Sequence, residues 1–235
     1  MVASLLAGCA SASPSAVEPA SASSTGASST PGSSSLGGAT KESPAGGSGA
    51  GGTPRPPSSA PAPRPSLSPA EQGRLDQRLV RAAKANDAAL VAQLISEGGN
   101  VNAKDPIQDS AFLYAGAEGF NEILRLTLAN SADVRSTNRF GGTALIPASE
   151  HGHVETVRIL IAAGVPVNHV NKLGWTAMQE AILLNNGGPR QQDVVRQLLD
   201  AGADPGIRDP QGRTALENAE RLGLAEIARL IRGRG

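Results

Sequence analysis

Three histidines, His151, His153 and His169, fall within nineteen residues, and their clustering invites a chemical reading first. Imidazole is the commonest metal ligand and titrates near neutral pH. A metal needs several ligands on converging vectors, and no Cys or Asp cluster completes the set here. His151 and His153 are also two residues apart, positions that do not face each other on a helix. A metal site or enzyme built on His151, His153 and His169 stands as the alternative from another class. Glu150, Glu155 and Glu180 are expected on separate helices and on solvated faces, with no apolar pocket to raise their pKa. The chain has no GxSxG, no HExxH and no P-loop. Gly141-Gly142 and Gly187-Gly188 read as turn glycines. The expectation is therefore no catalytic residue, no cofactor and no enzyme.

Composition narrows the partners. The chain has 235 residues, with 21 Lys plus Arg against 21 Asp plus Glu. A net charge of zero lacks the basic excess of a nucleic-acid binder. A single cysteine excludes a disulfide framework. All five aromatics (Phe112, Tyr114, Phe120, Phe140, Trp175) lie between residues 112 and 175.

The chain changes character near residue 68. From Ala10 to Ser68 only eight of 59 residues are not Ser, Ala, Pro, Gly or Thr. Such a stretch has no apolar surface with which to offset the entropy of ordering, so it is expected to be disordered. As a flexible tether it would span about 40–45 Å. Ahead of it, Leu6-Ala7-Gly8-Cys9 resembles a bacterial lipobox, in which the Cys is lipidated and becomes the mature N-terminus. The resemblance implies a protein held on the outer face of a bacterial membrane by Cys9. Only eight residues, none charged, precede Cys9, whereas a secretion signal has a basic n-region; a translation start upstream of Met1 would supply it. A cytoplasmic or secreted protein is the alternative localisation. The resulting division is a signal-peptide remnant over 1–8, a tether over 9–68 and a folded part over 69–235.

The folded part repeats. Ser110-Ala111-Phe112, Thr143-Ala144-Leu145, Thr176-Ala177-Met178 and Thr214-Ala215-Leu216 recur at spacings of 33, 33 and 38. Glu97-Gly98, Asn130-Ser131, Ala163-Gly164 and Ala201-Gly202 recur at the same spacings. Two independent phrases with one period mark a stacked array. Apolar residues at helical spacing (Val154, Val157, Leu160, Ile161) fill each interval. Thr143, Thr176 and Thr214 are expected to cap helices, and Gly164 and Gly202 to end them. Pro147 predicts a late helix start or a local distortion.

These phrases resemble the ankyrin repeat family, most closely over Asn138–Leu145, Glu150–Ile161 and Ala163–Asn168. The resemblance implies an all-α solenoid of helix-turn-helix units with β-turn fingers. Units are placed near 75–105, 106–138, 139–171, 172–209 and 210–235, with five extra residues around Asn185–Arg190. It further implies a non-catalytic monomer that binds a protein or peptide in a groove lined by fingers and first helices, without nucleic acid. At the family's contact positions stand Arg139, Phe140, Gly142, Glu150 and His151 in unit three. Unit four presents Val170, Lys172, Leu173, Trp175, Leu183 and Leu184, with Arg190 in the adjoining loop. Aromatic and Arg side chains are enriched at binding hot spots, so Arg139, Phe140, Leu173 and Trp175 are the expected anchors.

Overall fold

The computed structural model describes residues 67–234. The expectations placed on residues 1–66, Cys9 as lipidation site among them, lie outside the described residues. Ten helices and no strand occur among the described residues, in five antiparallel pairs. The first helices are α1 (Pro69–Lys84), α3 (Ala111–Glu118), α5 (Leu145–Glu150), α7 (Ala177–Leu183) and α9 (Ala215–Arg221). Their partners are α2 (Ala88–Ser96), α4 (Asn121–Ala129), α6 (Val154–Ala162), α8 (Pro189–Asp200) and α10 (Ala225–Arg232). First helices pack on one another in order, as do second helices, so the array has two layers with the core between them. Leu79, Phe112, Leu145 and Met178 fill it from the first layer; Leu94, Leu124, Leu160 and Leu198 fill it from the second. Burying one such side chain contributes about 1.5–3 kcal/mol, and no pair could bury its apolar stripe alone.

The helix ends follow local chemistry. Ser110, Thr176 and Thr214 each accept a backbone N–H from the residue three positions on. Gln179 and Glu217 return the bond to Thr176 and Thr214 and complete capping boxes. Gly164 and Gly202 follow α6 and α8 in the left-handed conformation, φ 82° at both. Thr143 departs from expectation: it does not cap α5, and its buried hydroxyl has no hydrogen-bond partner. Pro147 accounts for the difference. It has no N–H to offer in the first turn, Ile146 N–H falls back on the Thr143 carbonyl at 3.2 Å, and α5 starts one residue late. The five extra residues lengthen the α7–α8 loop and the start of α8, which runs twelve residues with Pro189 in its first turn.

Candidate functional site

Each finger closes on one side chain. Asp105, Asn138, Asn171 and Asp209 stand at the same place in four successive units. In every case the Oδ1 atom accepts two backbone N–H groups, two and four residues on, at 2.8–3.0 Å. The backbone then closes the turn between that residue and the one four positions later: Asp105–Asp109, Asn138–Gly142, Asn171–Trp175 and Asp209–Arg213. One position inside the turn has positive φ, held by Gln108, Gly141, Gly174 and Gly212. At the tips this frame presents Ile107, Phe140, Leu173 and Gln211. Ile107 and Leu173 are 50% and 49% exposed, and Val170 on the flank of finger four is 43% exposed.

The junctions between units are not alike. Asn102 donates to the Ser131 carbonyl and accepts from Asp133 N–H, and Asn168 clips Gly202 and Asp204 in the same way. The equivalent position between units two and three is Arg135, which makes no such clip. Between units three and four the fingers themselves are joined as well. Lys172 N–H donates to the Phe140 carbonyl at 2.9 Å, Lys172 Nζ reaches the Arg139 carbonyl, and His169 Nε2 lies 2.7 Å from the Gly141 carbonyl. The Arg139 guanidinium stacks on the Phe140 ring, 4.5 Å from its centroid, and extends towards Asp109 at 3.7 Å. Asp109 and Asp105 together hold Lys84 from α1 at 3.2 and 2.6 Å. Burial works against the Lys84 charge, but those two carboxylates outweigh it and raise its pKa.

A family model for ankyrin repeats (three copies) matches residues 79–165 and 112–209, which together cover most of the described array. The chain belongs to the ankyrin repeat family. A protein of Escherichia coli (strain K12) named as an ankyrin repeat protein, YahD, is 40% identical over 144 residues, 61% of this chain and 72% of its own length. The crystal structure of an ankyrin repeat domain from Acinetobacter baumannii AYE matches with 57% identity and a TM-score of 0.66, over 67% of this chain and 80% of that one. The ankyrin repeat protein EF0377 matches with 40% identity and a TM-score of 0.64, over 66% and 78%. Ankyrin repeats generally mediate protein–protein interaction, and the family is one of binding modules.

The ankyrin frame sorts the expected contact residues into two places. Arg139, Phe140, Val170, Lys172 and Leu173 converge on fingers three and four. Trp175 closes finger four, half-buried, with its indole N–H unpaired. Glu150 and His151 lie instead at the C-terminal end of α5, about 9 Å along the helix from its finger end. Arg190 is near them, because the Gly152 turn packs against Arg190 and Gln191. Of the other positions, Gly142 is buried, Leu183 half-buried and Leu184 exposed.

Two expectations are corrected here. His151 and His153 do meet: their rings are edge to face with centroids 5.5 Å apart. They flank Gly152, whose left-handed conformation (φ 66°) ends α5 and turns the chain between them, so helical spacing does not apply. His151 Nδ1 is 2.9 Å from the Ala117 carbonyl. His153 is half-buried; burial, then His151 and Arg190, push its pKa down against the pull of Ala117. His169 sits apart on its finger, and among the described residues no three His, Cys, Asp or Glu form a metal set. Second, Glu180 is not solvated. It is 6% exposed, and burial together with the charge of Glu150 raises its pKa to about 7, against the single donor Asn171. Glu150 is half-buried and its pKa is also raised by burial, against the pull of His151. Glu155 does lie at the surface, paired with Arg125 and Arg158 at 2.6 and 2.7 Å.

Proposed function

We propose that this ankyrin array is a non-catalytic protein-binding module whose contact surface centres on fingers three and four, and that Cys9 anchors it by lipid to the outer face of a bacterial membrane. The row of apolar tips carries the first half of this reading. A side chain half exposed on a turn closed by its own Asx bonds has no packing reason to be Leu or Val, and desolvating it against a partner recovers free energy. Leu173 is of this kind, and Val170 lies exposed on the flank of the same turn. The stacked Arg139–Phe140 pair beside them offers a flat cation-and-ring face. Leu6-Ala7-Gly8-Cys9 and the Ser/Pro/Gly-rich stretch after it support the second half.

The contact surface is tested with a Val170→Asp, Leu173→Asp variant against a captured envelope partner. The variant should keep its helical circular dichroism and lose the partner at least about thirtyfold, the cost of one hot-spot residue. Equal affinity would place the surface elsewhere on the array. The anchor is tested by fatty-acid labelling in cells. Cys9→Ser should abolish label and membrane association together, since stable anchoring takes two or more acyl chains; membrane association without label would refute lipidation.

A further inference from the structure

Glu180 does more than its neighbours need. Asn171 Oδ1 closes finger four by accepting from Leu173 and Trp175 N–H, both at 3.0 Å, while its Nδ2 donates to Glu180 Oε1 at 2.7 Å. One amide therefore ties the finger turn to α7. Unit five makes the same tie with the roles exchanged: Asn218 Nδ2 on α9 donates to Asp209 Oδ2 in the finger at 2.8 Å. There the buried helix residue is an uncharged amide. The acid lies in the finger beside Arg213, and its hydrogen bonds with Asn218, Arg213 and Gln211 outweigh burial to hold its pKa low. An amide thus suffices for the structural tie. Unit four instead buries an ionisable group and sets it opposite a second carboxyl.

The surroundings leave Glu180 without a cation. Helix α7 packs on α5, α8 and α9. From α5 comes Glu150, with His151 at its end. On α8, Asp193 pairs with Arg196 and Asp200 with Arg234, while Arg190 acts on His153. On α9, Glu217 pairs with Arg208, Glu220 with Arg232, and Arg221 donates to Asn218. Lys172, next to Asn171, is engaged by the Arg139 carbonyl. Only the Glu150 charge bears on Glu180, and it repels.

We propose that the Asn171–Glu180 hydrogen bond is a proton-operated latch on the fourth finger: a protonated Glu180 holds the finger against α7, and an ionised Glu180 loosens it. Burial and Glu150 both penalise the charged form, and moving the carboxylate towards water relieves both at the cost of the tie to Asn171. With its titration raised to about 7, the latch would operate near neutral pH. Its consequence for recognition rests on the reading of the fingers as the contact surface, because Leu173 and Trp175 hang from the same amide.

Trp175 is the single tryptophan of the chain and lies in the latched finger, so its emission reports the state directly. In the full chain, emission should shift between about pH 5 and 9 with a midpoint near 7. Glu180→Gln should stay at the low-pH value throughout, since Gln accepts from Asn171 at any pH. Glu150→Gln should lower the midpoint. His153→Asn and His169→Asn should keep the transition. A transition that survives in Glu180→Gln, or disappears in either histidine variant, overturns the latch. Should Glu180→Gln fail to fold by circular dichroism, carbon-detected NMR of the unmodified chain decides instead. A Glu180 carboxyl titrating in the ordinary range near 4.5 would refute the proposal, and one near 7 supports it. None of these readouts uses a partner, so failure of the latch and failure of the contact surface are separate results.

Discussion

Thr143 and Thr176 occupy the same position in successive units, yet their hydroxyls are in opposite states. Thr176 Oγ1 caps α7 by accepting Gln179 N–H, while Gln179 Oε1 accepts the Thr176 backbone N–H; Thr143 Oγ1 is buried with no partner. A buried hydroxyl without a bond costs about 1–3 kcal/mol, while a capping hydroxyl stabilises by about 1 kcal/mol. The same isosteric change should therefore have opposite signs. Thr143→Val is expected to raise stability by about 1 kcal/mol and Thr176→Val to lower it by about as much, measured by urea unfolding. Stabilisation of both, or loss in both, would contradict these assignments. The capping role was legible from Thr-Ala-Leu alone, and the exception was signalled by Pro147 four residues on. The finger key was harder to see. The position is Asp at 105 and 209 and Asn at 138 and 171, so no single residue type marks it; the shared property is one side-chain oxygen placed to accept two N–H groups.

At the scale of elements, α7 is where sequence reasoning went furthest astray. A Glu in a short helix reads as a solvated face, but α7 lies between α5 and α9 and against α8, and all but one of its residues are buried. The partner that makes this tolerable, Asn171, is nine residues away in a turn, beyond the reach of helical periodicity. The histidine pair failed for a related reason, since the break at Gly152 removes the helix on which spacing arguments rest. Helix order and period, by contrast, follow from apolar spacing and were legible throughout. The burial of Glu180 has a thermodynamic consequence with a definite sign. Its folded-state pKa, about 7, lies above the ordinary 4.5, so the folded chain holds the proton more tightly. The stability it contributes is complete below about pH 4.5 and is lost as pH rises towards 7, the reverse of a salt-bridged carboxylate. At pH 8, Glu180→Gln should be more stable than the parent by up to about 3 kcal/mol, or about 5–10 °C in Tm. At pH 4.5 the two should melt together. A difference independent of pH would point to packing instead of ionisation.

Across the array the helix packing runs within units and between neighbouring ones, so position in the row decides how far a defect spreads. Leu160, fully buried in α6, sits in the middle; Ile231, also buried, belongs to the terminal α10. Leu160→Ala should cost about 2–5 kcal/mol and move helix loss and the Trp175 signal together to lower urea. Ile231→Ala should release α10 alone, with an early loss of helical signal and little change at Trp175. Coincident early transitions in both variants would show that the array behaves as one indivisible unit.

The fingers, finally, separate address from architecture. The bonds that shape each turn run between the key Asp or Asn and its own backbone, and none passes through the side chain at position 107, 140, 173 or 211. A tip can therefore be rewritten without asking permission of the fold. Drift at these four letters would retarget the protein while leaving every helix where it is. The junction of units three and four obeys the same rule: Lys172 and His169 join its fingers through the main-chain carbonyls of Arg139, Phe140 and Gly141, which any side chain at 140 would still offer. All four letters can change one at a time.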